Sequence, residues 1–139
     1  MSKILLTNDT LRFISTFEGM TKVQVKDCVV LEDRIIFVVD DLRKALGKDM
    51  GNVRRLKSSI GRNVDIIGFA VTPEKFVKNI FHNYRVIEVE IEDRGGVPTA
   101  MVEIEPGDKG RAIGKNRRNL TVAEDILSHH YPVKKIFIK

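Results

Sequence analysis

The chain has 139 residues, of which 42% are hydrophobic and 31% charged. This balance is typical of one ordinary globular domain or two very small ones, and it excludes a disordered chain. The longest unbroken apolar run covers only residues 35–39, which is too short to cross a membrane. A single cysteine, Cys28, excludes an intramolecular disulfide, and residues 1–6 lack the apolar core of a secretory signal. We therefore expect a cytoplasmic protein.

Positive charge is concentrated in two stretches of the chain. The net charge is +5, but residues 43–62 contain seven basic residues and one acid, and residues 106–139 contain eight basic residues and three acids. Residues 86–105, which lie between them, contain six acids and one arginine. Two basic stretches favour a polyanion partner contacted at two places, although an ordinary solvated surface also has such runs.

The first half of the chain predicts a helix, two strands, two helices and a third strand. N-cap residues at 7–10 precede apolar residues at helical spacing, and Gly19 is predicted to end this helix. Strands follow at 23–25 and 35–39. A short helix over 41–46 leads through a glycine-bearing loop at 47–51 to a helix with an apolar face, and residues 64–67 form the closing strand.

The second half repeats the same order of elements. Thr72 and Pro73 begin a helix, an alternating strand covers 87–91, and residues 93–96 form a hairpin turn before the return strand. A short helix over 106–113 is followed by a loop that begins at Gly114, a longer helix, and a closing strand over 133–138. The second half is thus predicted to contain the same six elements as the first.

The two halves also match residue by residue at a constant offset. Five pairs are separated by 67 positions: Gly47 and Gly114, Lys48 and Lys115, Asn52 and Asn119, Val53 and Leu120, Ile60 and Leu127. We interpret this agreement as an internal duplication, with a first domain over 1–71 and a second over 72–139.

The two glycine loops are the candidate binding sites. Around the second loop, five basic residues occur within ten positions without an acid: Lys109, Arg111, Lys115, Arg117 and Arg118. A tight glycine turn between two helices presents backbone N–H groups and a helix N-terminus to solvent, an arrangement that attracts phosphate. Lys48 and Lys115 follow their glycines directly and add charge at the same place.

The segment 112–120, Ala-Ile-Gly-Lys-Asn-Arg-Arg-Asn-Leu, resembles the core of a KH domain, in which an Ile-Gly-x-x-Gly loop joins two helices. The element order resembles the type II form, which implies an α+β fold of two tandem type II KH domains. Each domain would have a small mixed sheet with its helices on one face. With Pro106-Gly107-Asp108-Lys109-Gly110 before the second loop, the pair resembles the archaeal NusA-like family of transcription termination and antitermination factors.

The resemblance implies a protein that binds single-stranded nascent RNA during transcription elongation or termination and contacts RNA polymerase. We expect this protein to be non-enzymatic and monomeric. It places the RNA contacts of the second loop at Lys109, Gly110, Arg111, Ile113, Gly114, Lys115, Asn116, Arg117, Arg118 and Asn119. It places those of the first loop at Gly47, Lys48, Gly51, Asn52, Arg54 and Arg55. Asn119 would read a base edge or cap the following helix, and the residue type favours capping.

Both loops depart from the family pattern at their fourth position, where the family has glycine. Met50 occupies it in the first loop, with Gly51 one place late, and Arg117 occupies it in the second. A larger residue there is expected to shift the turn or narrow the approach. Asp49 also places a negative charge beside the expected phosphate path. Because a guanidinium can itself bind phosphate, we rank the second loop above the first.

Enzymatic and metal-binding alternatives find little support in the sequence. Residues 110–116 have three residues between their glycines and an asparagine after the lysine, whereas a P-loop needs four and a Ser or Thr. His82, His129, His130 and Cys28 lack the spacing of metal ligands, so we expect neither a metal nor a cofactor.

Two further functions stay open. The first is a KH-based protein-interaction module that docks RNA polymerase through the acidic strand containing Glu88, Glu90 and Glu92. The second is an RNA-binding factor in ribosome assembly. Among the aromatic residues, only Tyr84 and Tyr131 are candidates for stacking on bases, because the phenylalanines lie mainly on predicted apolar faces.

Overall fold

The structure, a computed structural model, describes residues 8–139, which form two compact units over 8–69 and 70–139. The predicted N-cap residue Thr7 lies outside the described residues. Over residues 8–139, none of the helices combines the length and the apolar character that a membrane span requires.

The first unit contains three helices and a three-stranded sheet. In chain order its elements are α1 (Asn8–Thr21), β1 (Val25–Val30), β2 (Arg34–Val39), α2 (Leu42–Leu46), α3 (Gly51–Ile60) and β3 (Asn63–Gly68). A single 3-10 turn, Lys48–Met50, separates α2 from α3. The central strand β2 pairs antiparallel with β1 and parallel with β3. The parallel pair requires a crossover, which α2 and α3 supply.

The core of the first unit lies between the sheet and its helices. Alternate residues of β2, namely Ile35, Phe37 and Val39, are fully buried and share one face of the strand. Phe17 of α1 stacks on Phe37 with ring centroids 4.3 Å apart. Because α1, α2 and α3 all contribute to this one cluster, the helices of the first unit pack on one face of the sheet, as predicted.

Helix α1 is longer than the sequence indicates. It passes through Gly19, whose Cβ position is open space, and ends at Thr21. The next residue, Lys22, has a left-handed φ of 61° and donates its N–H to the carbonyl of Glu18. This left-handed residue ends the helix, and β1 then begins at Val25, two residues later than predicted.

The second unit repeats the first. Its elements are α4 (Pro73–Ile80), β4 (Val86–Arg94), β5 (Val97–Ile104), α5 (Pro106–Ile113), α6 (Arg118–His130) and β6 (Lys135–Ile138), and a 3-10 turn, Lys115–Arg117, separates α5 from α6. Strand β5 pairs antiparallel with β4 and parallel with β6. Gly95 and Gly96, with φ of 60° and 86°, form the predicted hairpin turn. Both units therefore have the predicted α-β-β-α-α-β order and a mixed sheet.

Tyr131 is part of the packing of the second unit. Its ring lies 6.0 Å from that of Phe76, which is fully buried, and its hydroxyl donates to the carbonyl of Ala70. Burial, together with the nearby charge of Glu74, raises the pKa of the Tyr131 hydroxyl above its ordinary value. These contacts give Tyr131 a structural role.

Candidate nucleic-acid interface

Each loop opens on a glycine that lies against an asparagine. Gly47 and Gly114 have φ of 73° and 78°, which strains any other residue type. A Cβ on Gly47 would lie 2.8 Å from Asn52 Nδ2, and one on Gly114 would lie 2.9 Å from the backbone nitrogen of Asn119. Glycine is thus required at both positions by the dihedral angle and by the close approach of the asparagine.

The two asparagines cap the helix that precedes each loop. Asn119 Nδ2 donates to the carbonyl of Arg111 at 2.8 Å, and Asn52 Nδ2 donates to the carbonyl of Ala45 at 3.1 Å. These carbonyls belong to the last turns of α5 and α2, which have no helical donors. The expectation that Asn119 caps the following helix was therefore wrong, because it caps α5, the preceding one.

The third and fourth positions of both loops are left-handed. Asp49 and Asn116 have φ/ψ of 54°/33° and 55°/35°, and the fourth-position residues Met50 and Arg117 have 57°/28° and 60°/23°. Asparagine and aspartate tolerate this region better than most residues. The fourth position has the left-handed conformation for which glycine is suited, and both loops adopt it with a larger residue.

Two backbone amides at the tip of the second loop have no acceptor within a helix. Lys115 and Asn116 are exposed and are the first two residues of the 3-10 turn, so their N–H groups have no helical acceptor. The following amides are occupied, since Arg117 N donates to the Gly114 carbonyl at 3.1 Å and Arg118 N to that of Lys115. The loop therefore offers adjacent N–H donors to an anion.

Three of the predicted cations surround these amides in sequence and are exposed: Lys115, Arg117 and Arg118. Arg117 Nη2 lies 3.6 Å from Glu124 Oε2, which also accepts the N–H of Ile136 at 3.0 Å. Glu124 thus holds the guanidinium beside α6 while 57% of the Arg117 side chain stays exposed. Lys115 forms no ion pair with any residue in the described range 8–139.

The other predicted residues of the second site lie on α5. Gly110 is exposed, whereas Lys109 and Ile113 are half-buried. Arg111 forms an ion pair with Asp108, a buried residue that also accepts the backbone N–H of Arg85 at 2.9 Å. That backbone hydrogen bond and the Arg111 guanidinium hold the pKa of Asp108 below its ordinary range.

Asp108 and Glu124 were not among the predicted site residues, although each lies beside one that was. Tyr84, which the sequence offered as a candidate for stacking on bases, lies beside Arg111. Arg111 Cζ is 5.6 Å from the centroid of the Tyr84 ring. The spacing of Asp108 and Arg111, three positions apart on a predicted helix, is the sequence signal that could have identified their ion pair. Glu124 lies on α6 seven positions after Arg117, and the charge-pair spacings of three and four positions do not indicate their contact.

The first loop uses its basic residues differently. Arg54 donates to the carbonyl of Asp49 at 2.9 Å, and Arg55 donates to Oδ1 of Asn52. Lys48 is exposed, as Lys115 is in the second loop. Gly51 has right-handed dihedral angles in the first turn of α3, so it does not take the place of the missing fourth-position glycine.

Comparisons with known proteins agree with this architecture. A sequence model of the NusA-like second KH domain matches residues 73–137. A probable transcription termination protein NusA from Methanocaldococcus jannaschii is 32% identical over 98% of this chain and 75% of its own length. Another from Thermoplasma acidophilum is 29% identical over 100% of this chain and 98% of its own length. The crystal structure of APE1850 matches with a TM-score of 0.73 at 30% identity, covering 96% of this chain and 100% of that one.

Proposed function

Because the chain belongs to the NusA family of transcription termination proteins, we propose that it binds single-stranded RNA and acts in transcription elongation and termination. One observation carries the mechanism. Lys115 and Asn116 are exposed residues whose N–H groups have no helical acceptor, and they lie in a glycine turn that Asn119 holds against α5. A preformed pair of donors binds an RNA phosphate without first ordering the loop.

The cations around the loop add affinity that depends on salt. A phosphate on the two amides would lie beside the ammonium of Lys115, with Arg117 and Arg118 as further contacts. For single strands the slope of log affinity against log salt is about −0.7 per phosphate contact, so three contacts give a loss of about 20-fold between 50 and 200 mM salt. Such contacts position the strand and do not read its sequence.

The second loop is the stronger proposed site. Asn116 occupies the position where the first loop has Asp49, and their backbone angles agree within 2°. A carboxylate at this position repels a phosphate, whereas an amide does not. Met50 also adds no charge where the second loop has Arg117. With the same turn in both loops, the difference in affinity is expected to come from these side chains.

An exchange of the third-position residues tests this proposal. Asn116→Asp should lower the affinity for a labelled single-stranded RNA of about 12 nucleotides by about fivefold at 50 mM salt, the direction set by like-charge repulsion. The matched variant Asp49→Asn should raise it. Both substitutions suit an exposed left-handed position, so neither should affect folding. Unchanged anisotropy titrations for Asn116→Asp at low salt would contradict the proposed site.

A substitution at Gly114 is a poorer test. Any side chain there has a strained φ of 78° and a Cβ 2.9 Å from the Asn119 nitrogen. A loss of RNA binding in such a variant would not separate a missing phosphate contact from a distorted loop. The third-position exchange leaves both glycines and both asparagine caps in place.

The proposal extends to partners and organisation. We propose two domains, 1–71 and 72–139, in a monomeric, non-enzymatic protein that meets nascent RNA and RNA polymerase in the cytoplasm. Glu88, Glu90 and Glu92 are exposed along β4 and are the proposed contact for a basic polymerase surface. Affinity purification from cells tests this, because recovery of polymerase subunits supports it and recovery of ribosomal particles instead favours a role in ribosome assembly.

A further inference from the structure

Arg111 is held in a fixed position beside the second loop. Its guanidinium donates to the carboxylate of Asp108, and its Cζ lies 5.6 Å from the centroid of the Tyr84 ring. Even so, 66% of the Arg111 side chain is exposed. A planar guanidinium with one edge on a carboxylate and one side toward an aromatic ring therefore still has much of its surface in solvent.

The groups that hold Arg111 are themselves anchored. Asp108 accepts the backbone N–H of Arg85 at 2.9 Å, and the carbonyl of Arg85 accepts the N–H of Glu105 at 3.0 Å. These two hydrogen bonds tie the start of α5 to the segment before β4. The Tyr84 ring lies 6.4 Å from that of Phe81, a buried residue. Arg111 is thus restricted before any ligand arrives, which reduces the entropy that binding must remove.

Arg111 is close along the chain to the proposed phosphate site. Arg111 lies in the last turn of α5, three residues before Gly114, a separation of about 5 Å along a helix axis. The backbone carbonyl of Arg111 accepts a hydrogen bond from Asn119 Nδ2 at 2.8 Å. The ion pair with Asp108 holds the Arg111 guanidinium one turn further back along α5. A strand that has a phosphate at Lys115 and Asn116 and runs back along α5 would therefore bring a base to Arg111.

We infer that Arg111, held by Asp108 and backed by Tyr84, is a stacking platform for one nucleobase of a bound single strand. Bases stack on guanidinium planes as they do on aromatic rings, and such stacking tolerates any base. This inference rests on the proposed RNA-binding function and adds a base contact to the phosphate contacts of the loop. Asp108 and Tyr84 are positioning residues in this arrangement.

The first unit offers a natural control because it lacks the platform. At the offset of 67 residues, Lys44 corresponds to Arg111 and Asp41 to Asp108. The Asp41 carboxylate caps α2 by accepting the backbone N–H of Lys44 at 3.0 Å. An ammonium group has charge but no plane on which a base can stack. The inference therefore assigns base stacking to the second unit alone.

A double-mutant cycle between Arg111 and the base tests the inference. The full chain and its Arg111→Lys variant are titrated with two labelled RNAs of about 12 nucleotides, one of them abasic over its central four positions. Arg111→Lys keeps the charge and removes the plane. We expect it to weaken binding of the intact RNA about tenfold, within the range measured for base stacking, and to leave binding of the abasic RNA unchanged. Asp108→Asn should show the same selectivity with a smaller loss.

Controls separate this inference from the function on which it rests. Lys44→Ala should weaken binding of the two RNAs by the same factor, because it removes only charge. Equal losses on both RNAs for Arg111→Lys would overturn the platform and leave Arg111 as a phosphate ligand. Failure of the unaltered protein to bind either RNA in dilute buffer would overturn the proposed function together with the platform. Thermal unfolding of each variant verifies that it folds.

Discussion

The left-handed residue at the fourth position of the first loop gives a prediction about stability. Met50 has φ 57° and ψ 28°, and 52% of the residue is exposed. A non-glycine residue in this region costs about 1–2 kcal/mol. Replacement by glycine removes that strain but increases the entropy of the unfolded chain, which costs about 0.4–1 kcal/mol. Because Met50 is half in solvent, little burial is lost, and Met50→Gly should stabilise the protein by about 0.5–1 kcal/mol.

Gly51 provides the matched substitution in the same loop. It has right-handed φ/ψ of −61° and −35°, and a Cβ added to it would meet only Arg54 Nη2, at 3.9 Å. Gly51→Ala should therefore stabilise by about 0.4–1 kcal/mol through the unfolded state. The double variant moves the glycine one place earlier, to the position where the family has it. The two separate effects sum to about 1–2 kcal/mol. Because the positions are adjacent, a departure of the double variant from this sum measures their coupling.

Urea unfolding followed by circular dichroism measures these effects. Met50→Gly should raise the midpoint without changing the slope of free energy against urea, because the surface exposed on unfolding stays the same. For a unit of this size the shift corresponds to an increase of roughly 2–8 °C in the unfolding temperature. A destabilisation of more than about 0.5 kcal/mol by Met50→Gly would refute the left-handed assignment.

Three further predictions follow from the described contacts. Arg117→Gly should change the free energy of unfolding by less than about 0.5 kcal/mol, because relief of backbone strain is offset by loss of the Glu124 ion pair. It should nevertheless weaken RNA binding in anisotropy titrations with the labelled RNA. Burial and the adjacent Asp27 charge raise the pKa of Cys28 to about 12, so its thiol should resist alkylation at pH 8 until urea unfolds the chain, and rapid labelling of the folded protein would contradict this. The lowered pKa of Asp108 means that its carboxylate stabilises the fold above its unfolded pKa, and this contribution disappears as pH falls through the folded value. The stability difference between the unaltered protein and Asp108→Asn should therefore be constant from pH 5 to 8 and shrink below about pH 4, and a constant difference down to pH 2 would argue against the charge interaction.

The element order was predictable because each unit has clear hydrophobic patterns separated by turn and cap residues. The apolar run over residues 35–39 forms the buried strand β2, and Gly95 and Gly96 form the hairpin turn. The resemblance carried by residues 112–120 identified the family correctly, and the comparisons confirm it. Local signals were less reliable at helix ends. Gly19 was expected to end α1, but an exposed glycine fits inside a helix, and the left-handed residue proved to be Lys22.

Side-chain contacts between different helices could not be predicted from sequence patterns. The sequence predicted that Asn119 caps a helix, but it indicated the wrong helix, α6. An asparagine near the start of a helix is ordinarily interpreted as a cap of that helix. The Asn119 side chain instead reaches back eight residues to Arg111. This contact requires the turn between the two helices, in which Asn116 and Arg117 are both left-handed. The residue types of this pair do not by themselves indicate such a turn.

The two loops together show that backbone conformation and ligand chemistry are specified separately. The glycine and the asparagine five positions later are the same in both units, and they set a turn whose angles agree within 5° at the third and fourth positions. The side chains that would face a phosphate differ, with Asp49 and Met50 in one loop and Asn116 and Arg117 in the other. A duplicated domain can therefore keep its fold through the shared pair while one copy loses affinity for RNA. Exchange of the third-position residues should accordingly move affinity between the loops and leave the stability of each unit unchanged.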